Sequence, residues 1–425
     1  MVDINNFRDK TLLEKLIASE KSRFKDSDIN NIVELDNLWR KTLHEVQELK
    51  TKLNILQKEF GKIMRDKSHC NVGKYKEEII TLKDNIKEKE IYVNECLVER
   101  NRLINLVGNI VHSSVPVSND ESDNEVVSVY GDKFSKNKYH HSEVMLKLGM
   151  YNPEAGSKVA GHRGYYLTGA GVQLNQALIR YGMDFLQGYC YEPIQTPFFM
   201  TKESMAKTAQ LSEFDDLLYQ VGDNKYLIAT SEQPISCLHQ DEWLQKKTIP
   251  LMYAGLSTCF RKEAGASGRD VKGLFRLHQF EKIEQFCIVS PGKSWEMLET
   301  MRGISEEFIK SLGLSYRVVN IVSGELNDAA AKKYDIEAWF PNTQEYRELV
   351  SCSNCTDYQS RKLLIRYGSK EKGKKATFAH MLNSTLCATE RTMCCLAENY
   401  QCDEGMRIPD VLRKYIYGSP EFFLL

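Results

Sequence analysis

GLSTCFRKEAGASGRDVKGLFRLHQFEKIEQFCI, residues 255 to 288, is the stretch that decides how the larger part of this chain folds. Leu256 to Phe260 is an apolar run of strand character that ends in Arg261-Lys262-Glu263. Phe275 to Ile288 is a second such run. The segment between them carries glycines at 265, 268 and 273, so the pair predicts two antiparallel strands joined by a loop. Period-two alternation puts Arg276, Phe280 and Glu284 on one face of the second strand, and Arg261 with Glu263 on one face of the first. A cation, an aromatic ring and carboxylates then converge on one sheet surface. That suits a flat, charged ligand such as a nucleotide; the plain alternative is a solvent-facing sheet laced with salt bridges.

The flanks supply more sheet. YCYEPIQTP, 189 to 197, reads as a strand closed by Pro197, after an amphipathic helix through Leu178, Tyr181 and Phe185. Leu217 to Val221 and Tyr226 to Ala229 surround Gly222-Asp223-Asn224, a hairpin signal. Thr230-Ser231-Glu232 opens a short helix with Ser231 as its N-cap. Glu348-Leu349-Val350-Ser351 runs into Cys352-Ser353-Asn354-Cys355. Phe378 to Leu382 reads as a strand, followed by Asn383-Ser384-Thr385, and a helix starts near Thr389. That helix carries Arg391 in its first turn, where the dipole favours acids, a mild misfit that suggests some other task, although an exposed arginine would tolerate the position.

The first third of the chain is different. Ile32, Leu35, Trp39, Thr42, Val46, Leu49, Leu53, Leu56, Phe60 and Ile63 recur at alternating steps of three and four, a heptad seam. Ile79, Leu82, Ile86, Val93, Cys96 and Leu103 make a second seam, weakened by Lys89 and Arg100. Ser68 to Gly73 supplies the turn, so two long helices lie antiparallel, seam to seam. Between 36 and 107 stand 15 Lys/Arg and 12 Asp/Glu, a net charge of +3. A solvated coiled coil explains that charge as well as a lever for a distant partner does. Residues 112 to 130 follow as an acidic, serine-bearing linker, and 131 to 425 form the second domain.

The 425 residues carry 57 Lys+Arg against 58 Asp+Glu, which excludes a wholly basic nucleic-acid coat but not a local basic patch. With 42% apolar residues, global disorder is excluded too. No apolar run reaches the ~18 residues of a membrane span. The start, MVDINNFRDK, has neither the apolar core of a signal peptide nor the acid-poor composition of a transit peptide. The twelve cysteines then imply a reducing, cytoplasmic setting. Only Cys352 and Cys355 have CxxC spacing, with no second ligand pair, so no zinc is expected. P-loop, GxGxxG, HExxH and GxSxG motifs are absent. The run Lys370, Lys372, Lys374 and Lys375 reads as a solvated loop.

Taken together, these residues resemble the three signature motifs of class II aminoacyl-tRNA synthetases. Pro197 closes the first, Arg261-Lys262-Glu263 with Phe280 makes the second, and the segment around Arg391 the third. TSE at 230, FRKEAG at 260, ELVSCSNC at 348 and LNST at 382 closely resemble the seryl-tRNA synthetases of eukaryotic cytosolic type, over essentially the whole chain. Generic third motifs have glycines where Ser384, Leu386 and Ala388 stand here.

The resemblance implies an α+β protein: a two-helix coiled-coil arm over residues 1–111 that grips tRNA(Ser), and a catalytic domain over 131–425 built on an antiparallel sheet flanked by helices. It implies ATP-dependent attachment of L-serine to the 3′-terminal adenosine through a seryl-adenylate, in a homodimer, with Mg²⁺. Arg261 would bridge the serine carboxylate and the α-phosphate, and Arg391 would hold the γ-phosphate. Phe280 would stack on adenine, Glu263 accept from its amino group, and Lys262, Leu277, His278 and Gln279 line the nucleotide pocket. Glu348 and Ser351 would hold Mg²⁺, with Leu349 and Val350 between them against ATP. Thr230 and Glu232 would take the α-ammonium, and Glu284, with Asn383 and Thr385, the substrate hydroxyl.

Overall fold

The computed structural model describes residues 1–65, 72–208, 217–263, 272–368 and 377–424. The expected 264–271 loop, the lysine run at 370–375 and most of the 68–73 turn lie outside these residues. The chain divides into two compact units, residues 2–21 with 25–108, and residues 1, 22–24 and 109–425.

The first unit holds helices α1 (Lys10–Ser22), α2 (Ile29–Arg65) and α3 (Val72–Ile104). At ~1.5 Å per residue, the 37 residues of α2 span about 55 Å. Val46, Leu82 and Ile86 are buried between α2 and α3, with Leu49, Leu53 and Val93 packed against them, as the seam predicts. Gly73, expected in the turn, is already helical. The two polar interruptions of the second seam are bridges rather than defects. Lys89 Nζ lies 2.6 Å from Glu45, and Arg100 lies 2.7 Å from the buried Asp36, which Arg8 also grips at 2.7 Å. Lys50 and Glu90 add a third crosslink between the helices at 2.6 Å. Charges placed inside an apolar seam fix register, because a slipped pairing leaves them unpaired.

The second unit is built on an eight-stranded sheet. Its strands in chain order are β1 (Glu125–Tyr130), β2 (Glu192–Gln195), β3 (Leu251–Phe260), β4 (Gln279–Val289), β5 (Tyr316–Asn320), β6 (Lys332–Phe340), β7 (Glu345–Asn354) and β8 (His380–Ala388). Across the sheet the order is β1-β5-β6-β7-β8-β4-β3-β2, and only the β2–β3 pair is parallel. Helices α4 (Gly169–Gly188), α5 (Ser294–Ser311) and α6 (Thr389–Asn399) pack on one face. Gly182 lets α4 come close: a Cβ there would lie 2.5 Å from Ile283 Cδ1. Phe423, at the chain end, is buried in the same core, its strand paired with Gly405–Arg407.

Three expectations change. Residues 125–130, read as linker, form an edge strand paired with β5. Its valines stay largely exposed, so backbone pairing rather than burial holds it, and composition is blind to that. The strand expected from Phe275 starts at Gln279, because the preceding residues bend to place Phe275 under Arg391. The strand expected to end at Leu382 continues to Ala388, so Asn383 and Thr385 are strand residues.

Candidate active site

The face of the sheet away from α4 to α6 carries a polar patch beside an apolar cluster that holds Phe286 and Ile288, and strand register shows why. Glu284 stands opposite Thr385, Phe286 opposite Asn383, and Asn383 also opposite Ser353. Lys333 faces Ser353, Asp335 faces Ser351, and Glu337 faces Glu348. Residues opposite one another in an antiparallel pair share a face. Their neighbours Ile283, Cys287, Ile336, Val350, Leu382 and Leu386 point the other way, into the core. Buried polar groups cost free energy unless paired, so a polar floor of this size is a site rather than a packing solution.

Glu284 is the hub of one end. It is 2% exposed. Its Oε2 accepts from the Thr230 hydroxyl, from Ser231 Oγ at 2.8 Å and from the Glu232 N–H at 3.1 Å. Its Oε1 accepts from Lys282 Nζ at 2.9 Å, and the same ammonium donates to Thr230 Oγ1 at 2.8 Å. Burial pushes the Glu284 carboxyl up, but Lys282 and these hydroxyls outweigh it and hold the pKa below the usual range. Ser231 was expected to cap the 232–236 helix; its hydroxyl goes to Glu284 instead. An open cavity lies alongside, lined by Thr230, Glu232, Arg261, Asp328, Gln359 and Lys362 among others. Gln359 Nε2 donates to Glu232 at 2.7 Å, and Asn383 Nδ2 donates to Cys355 Sγ at 3.6 Å.

A second cavity lies between β4 and α6 and shares Arg261 with the first. The Arg261 guanidinium carbon sits 5.2 Å from the Phe280 ring centroid, and its Nε donates to Ala229 O at 3.4 Å. Glu263, at φ +52°, accepts from Arg276 at 3.0 Å. Leu277 is buried against the cavity, and His278 Nδ1 lies 3.0 Å from Arg261 O. Gln279 is exposed, and the Lys262 N–H donates to Leu217 O. Arg391 Nε donates to Phe275 O at 3.2 Å and Nη1 to Glu348 at 3.3 Å. Loss of solvent raises the Glu348 carboxyl, and the charges of Arg391, Lys333 and Arg261 bring it below its ordinary value.

Glu284, Ser351, Asn383 and Thr385 therefore share one floor, and Thr230, Glu232, Arg261, Phe280 and Arg391 line the cavities beside it, with two differences. Leu349 and Val350 turn their side chains into the core, so only their backbone can meet a ligand. Sequence reasoning also missed Lys282, Gln359 and Asp335. Period two would have found Lys282, two residues from Glu284; nothing local flags Gln359. Asp335 is pushed up to about 6, by burial first and despite Lys333. Its Oδ1 is buried without a partner among the described residues, opposite Ser351. With Glu348 and Ser351 this corner offers hard oxygen donors, a chemistry that fits Mg²⁺.

Residues 1–111 match the family model for the seryl-tRNA synthetase N-terminal domain, and 215–400 that for the tRNA synthetase class II core domain (G, H, P, S and T). The chain is 50% identical to a serine–tRNA ligase of Helianthus annuus, covering 99% of this chain and 98% of that one. It is 51% identical to a cytoplasmic serine–tRNA ligase of Candida albicans, covering 99% and 96%. A crystal structure of the cytoplasmic serine-tRNA ligase from Naegleria fowleri in complex with AMP matches with a TM-score of 0.89 at 46% identity, covering 100% and 99%. That of the seryl-tRNA synthetase from Pyrococcus horikoshii complexed with ATP matches at 0.91 and 36% identity, covering 98% of each chain. With its polar floor, its two-helix arm and relatives of this identity along its whole length, the chain belongs to the seryl-tRNA synthetase family.

Proposed function

We infer that the chain joins L-serine to tRNA(Ser) at the expense of ATP, through a seryl-adenylate. One observation carries the reading: Arg261 lines both cavities, so a single guanidinium reaches the amino-acid side and the nucleotide side. In the first step a serine carboxylate oxygen attacks the α-phosphorus of ATP, and the bond to the bridging oxygen breaks to release pyrophosphate. In the second, the terminal 3′-hydroxyl of tRNA attacks the seryl carbonyl and AMP leaves. Both steps need aligned atoms and neutralised charge rather than a protein nucleophile.

Arg261 bridges the serine carboxylate and the α-phosphate, since its planar fork holds oxyanions bidentately. Phe280 stacks on adenine and Glu263 accepts from the adenine amino group. Lys262, Leu277, His278 and Gln279 line the base side, and Arg391 neutralises the γ-phosphate. Glu348 and Ser351 would hold Mg²⁺, which would supply charge neutralisation, and the backbone of Leu349 and Val350 lies against ATP. Glu232 and Thr230 take the α-ammonium. The substrate hydroxyl displaces the Thr230 hydroxyl from Glu284, because Thr230 is the one partly exposed side chain among its donors. Asn383 and Thr385 complete that pocket. A site that bonds a hydroxyl this way rejects alanine and glycine by up to roughly 10⁴-fold.

Residues 1–111 act as the tRNA arm and 131–425 as the catalytic domain. The arm reads backbone shape rather than base sequence. We assign a homodimer: Tyr166, Val172, Phe198 and Phe199 around α4 and the end of β2 are exposed and apolar, as a subunit interface requires. The relatives' cytoplasmic designation supports the same setting here, and among the described residues no helix is long and apolar enough to cross a membrane. Pyrophosphate exchange against all twenty amino acids, followed by charging of total tRNA, tests the assignment. Exchange driven by serine alone is expected; exchange driven best by another amino acid would refute it.

A further inference from the structure

The nucleotide cavity has an acidic wall that the reaction does not obviously need. Glu390, beside Arg391 at the start of α6, lines that cavity and is 1% exposed. Its Oε2 accepts from the Glu281 N–H at 3.1 Å and from Thr389 Oγ1 at 3.0 Å. Its Oε1 lies 3.0 Å from Tyr165 Oη, which also lies 3.0 Å from the carbonyl oxygen of Gln279. A phenol has one hydrogen, and a carbonyl can only accept. Once Tyr165 donates to Gln279, the contact with Glu390 is completed by a hydrogen on the carboxyl itself.

The charges around it agree. The carboxyl of Glu281 is the nearest titratable neighbour from β4, and Tyr165 faces it from the segment before α4. Arg391 follows it on α6 but spends its guanidinium on Phe275 and Glu348. Arg261, Glu263 and Arg276 line the same cavity. Among the described residues no cation forms an ion pair with Glu390 or Glu281. Burial, then the Glu281 carboxyl, both as a side-chain hydrogen-bond partner and as a like charge, push Glu390 well above the carboxylate range, against the Glu281 N–H and the helix dipole that favour the anion.

We propose that Glu390 is a positioning residue that works as a neutral acid: its carboxyl hydrogen clamps Tyr165, and its other oxygen ties the start of α6 to β4. This fixes Arg391 over the nucleotide cavity without adding a negative charge where a triphosphate must enter. An ionised Glu390 would compete with phosphate for Arg391 and repel the polyanion. The inference rests on the ATP-dependent reading above.

The test compares wild type, Glu390→Gln, Glu390→Ala and Tyr165→Phe, all full length, with thermal unfolding as a check that each folds. In serine-dependent pyrophosphate exchange at neutral pH, Glu390→Gln, which mimics the neutral acid, should keep the KM for ATP within about twofold. Glu390→Ala should raise it on the order of tenfold or more, as misplacement of a positioned group does, with the KM for serine unchanged. Tyr165→Phe should fall between them. The infrared difference spectrum of wild type minus Glu390→Gln at pH 8 should contain the carbonyl band of a protonated carboxylic acid. Absence of that band, or a Glu390→Gln enzyme as impaired as Glu390→Ala, overturns the proposal. Wild-type protein inactive with every amino acid would instead overturn the underlying activity.

Discussion

The Lys282 ammonium lies 2.9 Å from the Glu284 carboxylate, two residues along β4 and on the same polar face, with both side chains almost fully buried. Lys282 therefore keeps Glu284 charged in a place where burial alone would protonate it. Glu284→Ala should end serine-dependent exchange and also leave Lys282 buried without its counter-ion. Breaking such a pair costs about 3–5 kcal/mol, so urea unfolding should shift with the loss of activity. Full exchange by the variant would remove Glu284 from the site.

The floor also predicts an effect at a residue without a side chain. Gly255 stands opposite Glu284 on β3, and a Cβ there would lie 2.7 Å from Ser231 Oγ and 2.6 Å from Ile235 Cδ1. Gly255→Ala should push Ser231 off Glu284. The KM for serine should rise several-fold while the KM for ATP barely moves; equal changes in both would contradict this.

Arg391→Ala should harm ATP use more than serine use. A charge-assisted hydrogen bond is worth roughly 1.5–3 kcal/mol, so the KM for ATP should rise on the order of tenfold to a hundredfold. An unchanged KM and rate would exclude the arginine from the phosphate site.

In the helical unit, Asp36 pairs with both Arg8 and Arg100, and Arg100 is buried. Asp36→Ala should destabilise that unit by about 3–5 kcal/mol. Amide exchange should quicken along α2 and α3, and tRNA charging should fall while adenylate formation persists. Charging at the wild-type rate would make the arm dispensable.

His141 gives a pH signature in the other unit. Burial pulls its pKa down, but Cys394 and Glu398, whose carboxylate is 2.9 Å away, raise it to about 9. The folded value lies above the unfolded ~6.5, so this stabilisation is complete below about pH 6.5 and disappears as pH rises through about 9. Stability should decline over that window by on the order of 3 kcal/mol. His141→Gln should flatten the decline; an unaltered slope would assign it to other groups.

Residue order by itself determined the seams of α2 and α3 and the existence of strands β3 and β4, whereas Arg261, Phe280, Glu284 and Arg391 were linked as a set only through the resemblance to class II motifs. Those patterns are local: a heptad or an alternation is complete within one segment. Only tertiary structure decided that Lys89 and Arg100 bridge helices, that Gln359 meets Glu232, and that Tyr165 closes on Glu390, 225 residues away. Pairings of that kind depend on which strands become neighbours, and strand order follows from burying one face of the whole sheet, which no single segment encodes.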